Sequence, residues 1–212
     1  MGDFSGLNVG AHVGDDLLLV KANRHQLPHN DKITWLEQVH SNKVVSLPTV
    51  DTTADAAISE SPNFYCAVMT ADCVPVLLSN KAGTQVAAVH AGWKGLESGI
   101  IANTVHAFSC EPSEIIAWVG PAICGQCYEV DNQVADRFSA YPLAVTSSEN
   151  KNKFLLNLPA IAEHQLANVK VASVTQSGLC TYCQPDKFYS HRLATHQNKR
   201  STGRIVSVIG LS

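Results

Sequence analysis

Between Tyr65 and Ala91 the chain runs through "YCAVMT", "VPVLLS" and "QVAAVHA", three apolar stretches of strand length separated by short turns. Runs this short, bounded by Asn, Asp and Gly, read as β-strands. The pattern recurs at "DLLLV", "ITWLEQVH", "KVVSL", "AAIS", "IIAWVG", "KVASVTQS" and "IVSVIGL", so strands are expected to dominate. Three helices are expected among them: Leu96 to Phe108 after a glycine turn, Asn132 to Ser139, and Leu158 to Asn168 with Pro159 at its first position. The class is α+β.

No repeat, low-complexity run or Pro/Ser linker marks a boundary, so residues 1–212 are read as one domain. With 45% apolar and 16% charged side chains, the chain can bury one sizeable core. The polar stretch Tyr141 to Lys153 is read as a surface loop. "HQNKRSTGR" is read as a solvated hairpin tip, with anion binding as the alternative use of its cations.

A net charge of -3 and a pI near 6.3 offer no footprint for a polyanion, so no nucleic-acid partner is expected. No apolar stretch approaches the roughly 20 residues a bilayer requires, and "MGDFSGLNVG" lacks the basic and apolar regions of a signal peptide. A cytoplasmic monomer with no membrane partner is the expectation. Seven cysteines, an odd number in a chain too long to need staples, point to reduced thiols, some available to metal.

Three of the polar residues interrupting the apolar runs carry metal-ligand chemistry. His40 and His90 close strand-like runs and are each followed by a turn, and Cys73 stands where one run ends and the next begins. All three could meet at one rim of a sheet, where two imidazoles and a thiolate suit zinc with a fourth position left open. Taken singly, each also fits an ordinary role: a satisfied polar histidine at a strand end, or a cysteine acting as a small hydrophobe. Their spacing is not a compact metal motif. After His90, "AGWKG" is a strand-to-helix turn in which Gly92 and Gly95 allow close backbone approach, and the helix start is suited to an anion. Lys94 adds a charge for phosphate or is simply solvated, while Trp93 stacks on a base or fills core. "CGQC" (Cys124 to Cys127) and "CTYC" (Cys180 to Cys183) together mimic a four-cysteine zinc ribbon, although free thiols are the plainer account. Cys66 and Cys110 read as ordinary strand and loop residues.

The segments "QVHSNKV", "TADCVPVLL", "VAAVHAGWKGLESGI", "GPAICGQCYEV" and "FYSHR" followed by "TGR" occur in that order. On these, with "LNVGAHVGDD" near the start, the chain resembles the laccase-domain family, long labelled multicopper polyphenol oxidases and associated with purine nucleoside chemistry. The resemblance implies one domain of mixed β-sheets sandwiched between helices, related to cysteine hydrolases. It also implies a zinc or copper site whose ligands map onto His40, Cys73 and His90. Members commonly begin with a further edge strand and a Gly-Gly turn carrying an arginine, with no counterpart before "SGLNVG". They also carry a Tyr-Arg-Arg run where this chain has His191, Arg192 and Leu193, and an Asp where it has Asn157.

The resemblance leads to a zinc-dependent enzyme that phosphorolyses adenosine, inosine or methylthioadenosine and deaminates adenosine, with a purine nucleoside and phosphate as its small-molecule partners. Gly92, Trp93, Lys94 and Arg192 are the expected substrate contacts. Asp72 is the expected proton carrier beside His40, Cys73 and His90, with capping of its own turn as an equal alternative. Three rivals stand. Cys73 and His90 could form a nucleophilic pair that edits peptidoglycan precursors. The metal could be copper in a phenol oxidase, although one two-histidine site lacks the ligands of a copper cluster. The chain could also bind zinc without catalysis.

Overall fold

The computed structural model describes residues 4–212. The α+β expectation holds. A six-stranded mixed sheet has the spatial order β11 (Ser173–Gln176), β7 (Ile115–Val119), β5 (Val74–Asn80), β6 (Val86–Ala91), β3 (Ala56–Ser59), β2 (Val44–Leu47). A second sheet sets β4 (Tyr65–Thr70) between β1 (Ile33–Thr34) and β12 (Ile205–Ile209). A small antiparallel sheet sets β10 (Lys153–Leu156) between β8 (Glu129–Asp131) and β9 (Val145–Ser147). The helices are α1 (Leu17–His25), α2 (Trp93–Ser98), α3 (Ile100–His106), α4 (Asn132–Asp136), α5 (Leu158–Asn168) and α6 (His191–His196).

The layering follows from strand parity. Val74, Val76 and Leu78 of β5, with Ala87, Val89 and Ala91 of β6, face a core shared with Leu96, Ile100, Ile101 and Ile161 of the helices α2, α3 and α5. The alternate residues Leu77 and Ala88 face a second core with Cys66 and Val68 of β4 and Ile209 of β12. β5 and β6 are thus covered on both faces, which is why their sequences are continuously apolar. Arg24 ties α1 to the second sheet, its guanidinium 3.7 Å over the Trp35 ring and donating to Met69 Sδ of β4.

Several expected elements are corrected. "DLLLV" is not a strand but the start of α1: Asp16 caps the helix by accepting from the Leu18 amide, and only Val20 is buried while Leu17 to Leu19 are exposed. Of "ITWLEQVH" only Ile33–Thr34 is a strand, since the amides of Val39, His40 and Ser41 turn inward onto Asp55. The Leu96–Phe108 helix is two helices, broken at Gly99 with φ +89°, and the first starts earlier, at Trp93. The helix at Asn132 ends at Asp136, whereas α5 matches its expected span, capped by Asn157. Tyr141 to Lys153 holds β9, a short and mostly exposed strand without an apolar signal, and the first residue of β10, whose apolar residues Phe154 to Leu156 lie beyond the expected loop. "HQNKRSTGR" is not a hairpin tip. It joins α6 to β12, exposed at its start and buried by Thr202 and Gly203.

Candidate active site

Cys73 stands at the corner where the chain leaves the second sheet at Thr70 of β4 and enters the six-stranded sheet at Val74 of β5. A corner between sheets offers no ladder partner and needs no apolar side chain. Asp72 takes φ +88° there, conformationally costly for most residues and more tolerable for Asp. Its two carboxylate oxygens accept from Thr181 Oγ1 at 2.7 Å and from the Arg192 amide in the first turn of α6 at 2.6 Å. Asp72 therefore joins the corner to the segment before α6 and to α6 itself.

His90 lies on β6 with the parity of Ala88, opposite to Val89 and Ala91, and its ring is buried. His40 reaches the same point from a loop residue with φ +59°. The two imidazoles meet edge to face at 4.8 Å, and His40 Nε2 lies 3.9 Å from Cys73 Sγ. One ligand atom from each of His40, Cys73 and His90 falls within 4.8 Å of the others, so the three expected metal ligands do converge. Gly92 makes room for them: a Cβ there would lie 3.1 Å from both Cys73 Sγ and His40 Cδ2.

Asp55 beneath this cluster was not among the residues expected from sequence. Fully buried at the start of "DAAIS", it accepts from the amides of Val39, His40 and Ser41, from Ser41 Oγ, and at 2.8 Å pairs with His90 Nδ1. One carboxylate thus fixes the loop carrying His40 and the ring of His90, leaving Nε2 of His90 as the nitrogen that could ligate a metal. Burial opposes ionisation of Asp55, but His90 and the amide and hydroxyl of Ser41 outweigh it and hold the carboxyl at about 2. Burial likewise opposes charge on Cys73, yet His90 and His40 bring the thiol down from 9.0 to about 6. Against its own burial, the His90 imidazole is raised to about 9 by Cys73 and Asp55.

Two cavities meet along His40, Ala71, Cys73 and His191. One, of about 200 Å³, is completed by His12, Gln38, Met69, Thr70, His90 and Arg204. The other, of about 210 Å³, is completed by Asp72, Trp93, Ile123, Tyr128, Leu158 and Arg192. Arg192 lies 5.0 Å over the Tyr128 ring and donates to the Glu129 carbonyl. A larger groove of about 380 Å³, lined by residues such as Leu77, Ile116 and Trp118, contains no ionisable side chain. Of the expected contacts, Trp93 and Arg192 line the second cavity and Gly92 backs the cluster. Lys94 is exposed beside Trp93 and lines neither cavity. His12 and Arg204 come from opposite ends of the chain, a pairing that no local motif signals.

The sequence model of the family described as multi-copper polyphenol oxidoreductase laccase matches residues 1–212. This chain belongs to that family. Within it, the chain is 41% identical over 217 residues to a protein named purine nucleoside phosphorylase YfiH from Shigella flexneri, covering 98% of this chain and 87% of that protein. The protein of the same name from Escherichia coli (strain K12) is 40% identical over the same shares. The crystal structure of Neisseria meningitidis protein NMB0706 superposes with a TM-score of 0.91 at 38% identity, covering 100% of this chain and 89% of that one. YlmD from Geobacillus stearothermophilus superposes at 0.90 with 29% identity, covering 100% and 87%. Among the described residues of this laccase-family chain no helix is long and apolar enough to cross a membrane.

Proposed function

We propose that this chain is a zinc-dependent purine nucleoside phosphorylase acting on adenosine, inosine or methylthioadenosine, with adenosine deamination as a second activity. The observation that carries the reading is the convergence of His40, Cys73 and His90 over Asp55, at the junction of one cavity with cationic residues and one with aromatic ones. The purine nucleoside class is supported by relatives 40% and 41% identical that bear that name.

Two imidazoles and a thiol fit zinc in kind and number, and three protein ligands leave a position open, as in catalytic sites. Copper is the lesser fit. Among the described residues only one other group can hold a metal, and it is made of cysteines, so the histidines of a multi-copper cluster are missing. When bound, zinc supplies Lewis acidity at the junction of the cavities.

The rest of the mechanism falls to side chains of this chain. Phosphorolysis forms a bond from a phosphate oxygen to the ribose C1′ and breaks the bond from C1′ to N9, the base departing with the electron pair and then taking a proton. Trp93 and Tyr128 provide aromatic faces for a purine, and Arg192 beside them draws electron density toward the base. Arg204 offers phosphate a guanidinium fork, and His12, its pKa lowered by burial and by Arg204 and Arg24, is a neutral hydrogen-bonding neighbour. Thr70 Oγ1 is buried without a protein partner in the wall of the same cavity and is suited to a polar group of the substrate. Asp72, with both oxygens engaged by Thr181 and Arg192, acts as a positioning residue for α6, which makes His191 the better candidate to carry a proton. In deamination, water adds at the purine C6 and ammonia leaves.

A second reading is favoured by one observation: Asp55, His90 and Cys73 form a carboxylate, imidazole and thiol series suited to a cysteine nucleophile that hydrolyses an amide. It leaves His40 without a role. Assay of adenosine, inosine and methylthioadenosine with and without phosphate tests the proposal. Base release that requires phosphate and yields ribose 1-phosphate supports it, and equal release in phosphate-free buffer counts against it.

A further inference from the structure

The strands β7 and β11 are parallel neighbours, paired from Ser173↔Ile116 to Gln176↔Val119, so the loops that follow them leave the same end of the sheet side by side. Those loops carry "CGQC" and "CTYC". They are stitched together by the Ala122 amide donating to the Leu179 carbonyl and the Thr181 amide donating to the Ala122 carbonyl. Each loop folds its cysteine pair into a tight turn, closed by the Cys127 amide on the Cys124 carbonyl at 3.0 Å and the Gln184 amide on the Cys180 carbonyl at 3.2 Å.

The result is four sulfurs within 4.8 Å of one another, from Cys124, Cys127, Cys180 and Cys183. Cys127 and Cys183 place their sulfurs 3.4 Å apart, and the Cys124 amide donates to Cys180 Sγ at 3.3 Å. Zinc–sulfur bonds of about 2.3 Å in a tetrahedron put sulfurs roughly 3.8 Å apart, close to this cluster. An amide aimed at a sulfur is the outer support that a thiolate ligand uses. Gly125 is needed for the first turn to sit here, since a Cβ on it would lie 2.8 Å from the Asn157 Cβ that begins α5.

We propose that Cys124, Cys127, Cys180 and Cys183 hold a structural zinc ion, separate from the site formed by His40, Cys73 and His90. Binding replaces four S–H bonds with four Zn–S bonds and releases four protons to solvent, with no change of oxidation state. All four coordination positions come from protein, which makes the site closed and structural. Its location gives it work: Thr181, inside the second turn, donates to Asp72 Oδ1, and the amide of Ile123, beside the first, donates to the Asp72 carbonyl at 3.0 Å. The zinc staples the two loops that hold the Asp72 corner from either side.

The test uses the full chain carrying Cys73→Ala, which removes the thiolate of the other site and keeps all four cysteines of this one. Purified under reducing conditions and loaded with cobalt, it should hold about one tightly bound ion with the intense sulfur-to-cobalt absorption of a tetrathiolate site. Zinc should protect the four thiols from alkylation until a chelator is added. Adding Cys183→Ser should weaken that absorption and loosen the ion. If that variant does not fold, the protection measured in Cys73→Ala alone still decides the question. Reduced Cys73→Ala protein that takes up no metal, or gives no tetrathiolate absorption, overturns the proposal, as does native protein in which these cysteines are paired as disulfides.

Discussion

Asp55 Oδ1 lies 2.8 Å from His90 Nδ1 and also accepts the His40 amide at 3.0 Å, so one buried carboxylate orients the His90 imidazole and holds the backbone that carries His40. Replacing Asp55 by Asn removes the charge and turns one acceptor into a donor facing the amides it must receive. Zinc affinity should fall roughly 10- to 100-fold, the usual cost of losing a carboxylate behind a ligating histidine. Competition with a chromophoric chelator measures it, and unchanged affinity would show that Asp55 is merely structural.

Gly92 has φ -73°, so alanine is allowed by the backbone there and is opposed only by Cys73 and His40. Gly92→Ala should spread the ligands and lower zinc affinity at least about tenfold, while the metal-free protein keeps its melting temperature within a few degrees. A variant that binds zinc like the wild type would mean that the ligands yield without cost.

Asp72→Asn tolerates the positive φ but exchanges an acceptor pair for one acceptor and one donor, releasing either Thr181 or the amide of Arg192. The variant should show a raised KM for nucleoside with the zinc content of the His40, Cys73 and His90 site intact. A fall in kcat alone, with a shifted pH profile, would instead mark Asp72 as a proton carrier.

How much of this was legible in sequence depended on distance along the chain. β5, β6 and α5 announced themselves because their signals are local: continuous apolar runs, and Asn157 with Pro159 opening a helix. Leu17 to Val20 misled because a short apolar run carries no period of its own and Asp16 decides for helix. His40, Cys73 and His90 were found, yet Asp55 was not, since a carboxylate opening a small-residue strand looks like a turn residue until its partners 14 to 35 positions away fold onto it. Arg204 and His12 reach the cavity only through tertiary folding, and "HQNKRSTGR" carries no local signal that it turns inward before Arg204.

Cys66 separates inert thiols from reactive ones. Burial pushes it from 9.0 to about 12. Because the folded value is raised, its contribution is fully present below pH 9 and is lost as pH rises toward 12, on the order of a few kcal/mol. Alkaline unfolding should therefore be less steep in Cys66→Ala, and native alkylation at pH 8 should pass Cys66 by. Rapid labelling of Cys66 in folded protein would contradict its burial.

In the proposed function, zinc at His40, Cys73 and His90 is needed for phosphate-dependent cleavage of purine nucleosides. Its most direct test removes zinc from this site by chelation while the tetrathiolate metal is retained, measures ribose 1-phosphate formed from inosine, and then restores zinc. Activity should disappear with the metal and return with about one equivalent per chain. Full activity in protein verified to lack metal at this site would contradict it and assign Cys73 as a nucleophile.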